Sequence, residues 1–223
     1  MNRVALVIGN SEYLNIGKLN NPKNDANDIA SILGKLNFDV EKVIDADLLD
    51  IQRSVNKFLQ ALDEYAVGLF FYAGHGMQID GKNYIVPVDL KLGDKSRTTV
   101  SCYCLNSLLD GAATYKGKTL ICILDACRDN PFAIGRGLIA GFAPFDNPPK
   151  GTIIAYSTGS DCSAFDGHGS NGLYAIPLNY RHQYIVSCQK EYSVFLGKET
   201  EIYMGHALNL IQLAVIQSTA LSA

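Results

Sequence analysis

In residues 3–9, RVALVIG, an unbroken aliphatic run from Val4 to Ile8 stops on a glycine. A continuous apolar run of this length predicts a strand buried on both faces. In NPKNDANDIASILGKLNF the apolar positions Ala26, Ile29, Ile32, Leu33 and Leu36 recur at helical spacing. That predicts a helix with Asn24 or Asp25 at its N-cap. DVEKVID reads as a second short strand. LLDIQRSVNKFLQALDEY places Ile51, Val55, Phe58, Leu59 and Leu62 on one helical face. AVGLFFYAGHG is again continuously apolar, so a further buried strand is expected.

Next, MQIDGKNYIVPVD holds Asp80-Gly81 between two short alternating runs, which predicts a hairpin. CLNSLLDGAA is a modest helix and KTLICILDA a buried strand. The Gly/Pro-rich stretch 135–151 reads as loop, and TIIAYST as one more strand. The order of these elements predicts an α/β fold, with a mostly parallel central sheet and helices on both faces. Ligands of such sheets bind outside the carboxyl ends of the strands.

Length and charge narrow the picture. The chain has 223 residues and a formal net charge of −3, with 18% charged residues and no Lys/Arg-rich block. One α/β domain with a sizeable core fits that length. A nucleic-acid surface is not expected, because phosphate binding requires clustered cations. The start, MNRVALVIGN, is too short and too soon polar for a signal peptide, and 207–223 is too short for a membrane span. Together with six cysteines and no CxxC pair, this predicts free thiols in a cytoplasmic setting without membrane association. The Cys102/Cys104 pair has no histidine near it, so no metal or other cofactor is expected.

Two strand ends carry chemistry. GLFFYAGHG sets His75 just past the end of one strand, between glycines, and LICILDACRDN sets Cys127 past the end of another. Were those strands neighbours, an imidazole and a thiol would face one crevice. A histidine activates a thiol as general base or holds it as a thiolate–imidazolium pair. The amides of Gly76 and Cys127 are candidate donors to a developing oxyanion. Cys122, inside its strand, is read as a small buried hydrophobe.

The 52-residue step from the His of FFYAGHG to the Cys of DACRD resembles the caspase-like cysteine peptidases (the clan of caspases, metacaspases and paracaspases). The likeness is closer to the bacterial metacaspase or orthocaspase branch, because Asp125 stands two positions before the cysteine. LNNPKNDANDIASIL resembles the family's N-D-A helix start, and GTIIAYSTGSDCSAFDGHGSNGLY the opening of its small-subunit half. This resemblance implies a caspase-like three-layer sandwich over residues 1–175. Its large-subunit part covers about 1–135 and the start of the small-subunit part about 150–175. Residues 176–223 form a divergent segment, in which Pro177 falls where the family would begin a helix.

The resemblance further implies an endopeptidase in which Cys127 attacks and His75 transfers the proton. Asp25 and Asp125 map to the acidic S1 pocket of metacaspases, which takes Arg or Lys at P1. Two carboxylates suit a guanidinium and repel an acidic side chain. Arg128 keeps an Asp-directed preference open, and Asp25 retains its reading as a helix cap. Ser157, at the end of the last strand, is a substrate-binding candidate or a polar loop residue. The expected partners are protein or peptide substrates with a basic P1, among them a pore-forming effector, in bacterial stress, cell-death or defence roles. GRG at 135–137 is a candidate autoprocessing site. Calcium activation stays open, although Asp80, Asp89 and Asp94 lack the spacing of a calcium loop. The rival reading is a caspase-like scaffold with little turnover, favoured by the unusual second half.

Overall fold

The computed structural model describes residues 2–127, 138–145, 148–156 and 186–187. Its first strand, β1 (Arg3–Gly9), lies between two parallel neighbours, β2 (Phe38–Ile44) and β3 (Val67–Ile79). Strand β3 also pairs in parallel with β6 (Thr119–Cys127), and β6 with β8 (Thr152–Tyr156). A two-residue strand, β9 (Val186–Ser187), joins β8 antiparallel, giving the order β2-β1-β3-β6-β8-β9.

Side chains alternate across this sheet into two cores, the geometry expected of a strand period of two. Leu6 and Ile8 of β1, Phe70 and Tyr72 of β3, and Cys122 and Leu124 of β6 pack on one face. There they meet α2 (Leu48–Ala61) and α4 (Leu105–Ala113), through residues such as Val55, Phe58, Leu105 and Leu108. Ala5, Val7, Leu69, Phe71, Ala73, Ile121 and Ile123 pack on the other face against Ala26, Ile29 and Leu33 of α1 (Pro22–Lys35). Both faces are covered, so the central strands carry apolar residues on both sides along their middle and form a three-layer α/β sandwich.

Several expectations are corrected. Helix α1 begins at Pro22 with Asn21 as its N-cap, so neither Asn24 nor Asp25 is the cap; Asp25 lies buried in the first turn. Proline suits the first helical position, because its missing N–H has no partner to lose there. Gly9 lets that turn approach: a Cβ at this position would stand 2.5 Å from the Pro22 carbonyl oxygen and 2.6 Å from Ala26 Cβ. His75 and Cys127 are not beyond their strands but inside them. Strand β3 runs on through His75 into the hairpin with β4 (Lys82–Ile85). The hairpin itself is as expected, with Asp80 and Gly81 at φ 50° and 73°, the positive values of a type I′ turn.

A short helix, α3 (Lys95–Val100), capped by the Asp94 carboxylate on the Arg97 N–H, was not anticipated. Nor was β5 (Tyr103–Cys104), which pairs with β4. Within the stretch read as loop, β7 (Leu138–Ala140) pairs antiparallel with Met77–Ile79 of β3. Among the described residues no helix is long and apolar enough to cross a membrane. Arg128, the GRG at 135–137, Ser157, Pro177 and the apolar segment 207–223 lie outside the described residues.

Candidate active site

Strands β3 and β6 are adjacent, and their register sets His75 directly opposite Cys127. These are the last paired residues of the parallel ladder. Neighbouring strands lie about 4.8 Å apart, so the two residues share one end of the sheet. Beyond that point β3 leaves β6: Gly76 pairs with Ile85 and Met77 with Ala140. The change of partner falls between His75 and Gly76, just after Gly74, whose φ of 151° disfavours any side chain.

His75 is buried, and its surroundings fix it at both backbone and ring. Its peptide N–H donates to the Tyr13 hydroxyl at 2.7 Å, and its carbonyl accepts from the Tyr72 hydroxyl at 2.6 Å and from the Val86 N–H at 3.2 Å. Imidazole Nε2 lies 2.7 Å from the Gly17 carbonyl oxygen. A carbonyl only accepts, so Nε2 carries the hydrogen of this bond. In the neutral ring Nδ1 is then the basic nitrogen. The Tyr13 ring packs against the imidazole, with centroids 4.5 Å apart and planes inclined by 48°.

The loop that supplies Tyr13 and Gly17 is closely tied. The Asp45 carboxylate accepts from the Ser11 and Glu12 N–H groups at 2.8 and 2.9 Å. Ser11 takes the Leu19 N–H on its carbonyl and the Lys23 N–H on its hydroxyl, closing the loop onto the start of α1. Asn10, fully buried, donates to the carbonyls of Ala46 and Val86 and accepts from the Ala46 N–H. Three segments that meet at the carboxyl edge are thereby joined through one amide.

Asp125 pairs with Ala73 and, by strand alternation, belongs to the face covered by α1. Asp25 lies buried in the first turn of that helix, one residue before Ala26, which packs on this face. Both sequence-predicted carboxylates are therefore on the same side of the sheet as the α1 core. Gly76 has a packing reason for its missing side chain: a Cβ would stand 2.7 Å from the Phe142 ring and 3.0 Å from Ala126 Cβ. Two other described thiols, Cys102 and Cys122, are buried. Burial pushes the Cys102 thiol up to about 12 and raises Cys122 as well, so both are inert neutral side chains near neutral pH.

A model of the caspase domain, peptidase family C14, matches residues 2–198. The chain belongs to this family. Over 126 residues, 56% of its length, it is 32% identical to the mucosa-associated lymphoid tissue lymphoma translocation protein 1 of Homo sapiens and to the Mus musculus homolog. The match spans 15% of each of those much longer relatives. In fold it is similar to the Drosophila initiator caspase Dronc, with a TM-score of 0.50 at 12% identity, over 70% of this chain and 55% of that one. A protein from Geobacter sulfurreducens gives a TM-score of 0.54 at 16% identity, over 78% and 79% of the two chains.

Within this caspase domain, sequence reasoning missed the residues that hold the histidine. Tyr13 is one of twelve tyrosines, with no feature to separate it from core and rim. Tyr72 is hidden in the apolar run FFY. Gly17 acts through its carbonyl, which no side-chain pattern reports.

Proposed function

We propose that this caspase-domain protein is a cysteine endopeptidase that cleaves after Arg or Lys. The observation that carries the reading is the register of His75 opposite Cys127 in a chain of this family. In this mechanism His75 Nδ1 takes the proton of the Cys127 thiol, while Nε2 stays bonded to Gly17. The sulfur attacks the scissile carbonyl carbon, and the amides of Gly76 and Cys127 hold the oxyanion. The C–N bond breaks, and the leaving amine takes the proton from the imidazolium. Water then hydrolyses the thioester, with His75 as base, and restores the thiol. Asp25 and Asp125 bind the P1 cation, and Ser157 contributes to the substrate cleft.

The positions of Asp25 and Asp125 support the basic preference. Both belong to the α1 side of the sheet, at its carboxyl end, and two carboxylates there favour a guanidinium over an acidic side chain. The metacaspase-like branch rests on the same aspartates. The test is hydrolysis of fluorogenic peptides with Arg, Lys or Asp at P1, with and without calcium, beside Cys127→Ala. Cleavage after Arg or Lys that disappears in the variant is the expected result. Cleavage after Asp sinks the pocket assignment and keeps the chemistry. A folded chain inert to every peptide sinks the endopeptidase reading and favours a scaffold.

A further inference from the structure

Tyr13 does more than fill space beside His75. Its hydroxyl accepts the His75 peptide N–H at 2.7 Å and lies 3.4 Å from the Tyr72 hydroxyl, which itself meets the His75 carbonyl at 2.6 Å. Each phenol has one proton to give. The short contact from Tyr72 to the His75 carbonyl claims the Tyr72 proton, since a carbonyl can only accept. The Tyr72 oxygen is then the acceptor for Tyr13. The bonds run from the His75 N–H to Tyr13, from Tyr13 to Tyr72, and from Tyr72 back to the His75 carbonyl. The circuit begins and ends on one residue.

Three further observations converge on this circuit. Both tyrosines are buried, and burial raises the Tyr72 phenol well above its ordinary value, so its proton stays in place. Gly74 faces both hydroxyls: a Cβ there would stand 2.6 Å from the Tyr72 oxygen and 2.7 Å from the Tyr13 oxygen. The glycine before the histidine is thus required by the tyrosines as well as by its φ of 151°. Finally, the Tyr13 ring lies against the imidazole while the same loop brings the Gly17 carbonyl to Nε2. Backbone and ring of one histidine are both referred to the loop after β1.

We propose that Tyr13, working with Tyr72, is a positioning residue that fixes the backbone of His75 and thereby the direction of its imidazole. The proposal rests on the peptidase reading for its kinetic consequence but not for its structural one. Buried hydrogen-bond circuits whose members are all satisfied rigidify the groups they contain. Strand β3 passes from β6 to β4 between His75 and Gly76, and the phenols add side-chain bonds to the backbone at that handover.

The test uses the full chain with Tyr13→Phe, which keeps the ring and removes the hydroxyl. Two readouts are taken. One is solvent exchange of the His75 Nε2–H, observed by nitrogen-15 NMR and identified by its loss in His75→Gln. The other is peptide hydrolysis resolved into kcat and KM. Exchange is expected to quicken by roughly tenfold, the effect of losing one buried hydrogen bond. We expect kcat to fall by at least roughly tenfold with KM within about twofold, since a misplaced catalytic group costs rate rather than binding.

Unchanged exchange and unchanged kcat overturn the proposal. A raised KM with kcat intact overturns it too, by making Tyr13 a substrate contact. Quickened exchange in a chain that hydrolyses no peptide supports the positioning and instead removes the peptidase reading. If Tyr13→Phe does not fold, Tyr72→Phe decides. A smaller quickening supports the circuit, because the Val86 N–H still holds the His75 carbonyl, and no change overturns it.

Discussion

The middle of the sheet and its carboxyl edge are built on different principles. In the middle, Leu6, Phe70, Phe71, Leu69 and Ile123 are buried by hydrophobic contact alone, and no side-chain hydrogen bond is needed to place them. At the edge buried polar residues join the packing, among them Asn10, Ser11, Asn21, Asp25 and His75. Each of these groups loses water on folding and has to be compensated by bonds of specific geometry. Hydrophobic packing tolerates substitution of similar volume, whereas a polar site of this kind allows little variation. The difference indicates that the layers supply stability and the edge supplies a fixed arrangement of polar groups.

Stability and activity should therefore separate according to position. The largest loss of stability is expected from Phe70→Ala in the middle, about 3–5 kcal/mol, since it removes a fully buried ring between β3 and the α2/α4 layer. Urea unfolding measures it, and a loss below about 1 kcal/mol would contradict the division. Asn10→Ala is the corresponding cut at the edge. It leaves the Ala46 N–H and the carbonyls of Ala46 and Val86 without their amide partner. The expected cost is smaller, about 1–3 kcal/mol. Peptide hydrolysis should nevertheless suffer more than in Phe70→Ala at a temperature where both variants are folded. Equal losses of kcat would erase the distinction.

That division also explains what could be read from the sequence. The middle of the sheet announces itself, because VALVIG, GLFFYA and LICIL are unbroken apolar runs and the two main helices have clean apolar faces. His75 and Cys127 were legible as candidates because strand ends in such sheets are where ligands bind. Their mutual register was not, since pairing between β3 and β6 is decided across more than fifty residues of chain. Edge details depend on contacts rather than periods. In NNPKND several residues can cap a helix, and the tertiary fold selected Asn21, ahead of the proline. Strand β7 is three residues long within a Gly/Pro-rich stretch, and only its pairing to Met77–Ile79 makes it a strand. The residue pattern placed the carboxylates Asp25 and Asp125 on their elements, and only the family resemblance brought them to one pocket.

An effect absent at neutral pH and confined to alkaline solution should come from the buried thiols. Cys102 packs in the small cluster with Tyr13, Met77 and Tyr84, and burial lifts its thiol from an ordinary 9.0 to about 12. The folded state thus keeps a proton that the unfolded chain releases above pH 9. The stabilisation is fully present below that pH and is lost as pH rises toward 12. Unfolding free energy should fall with a slope of up to about 1.4 kcal/mol per pH unit for each such thiol. Cys102→Ala should flatten the dependence between pH 9 and 11, and an unchanged slope would show that this thiol is not the group responsible.

The smallest effect should be at the solvent side, where a polar contact has neither burial nor neighbours. Lys57 of α2 meets Glu41 of the edge strand β2 at 2.9 Å, which is shorter than several bonds in the buried network. The Lys57 side chain is 74% exposed, so water solvates the charges almost as well as they solvate each other. Lys57→Met should shift the thermal midpoint by no more than about 1 °C and leave hydrolysis unchanged. A larger shift would mean that the edge strand depends on this pair. Without one, distance alone does not measure a polar contact here. What gives Asn10 and Tyr13 their weight is that no water can replace what they hold.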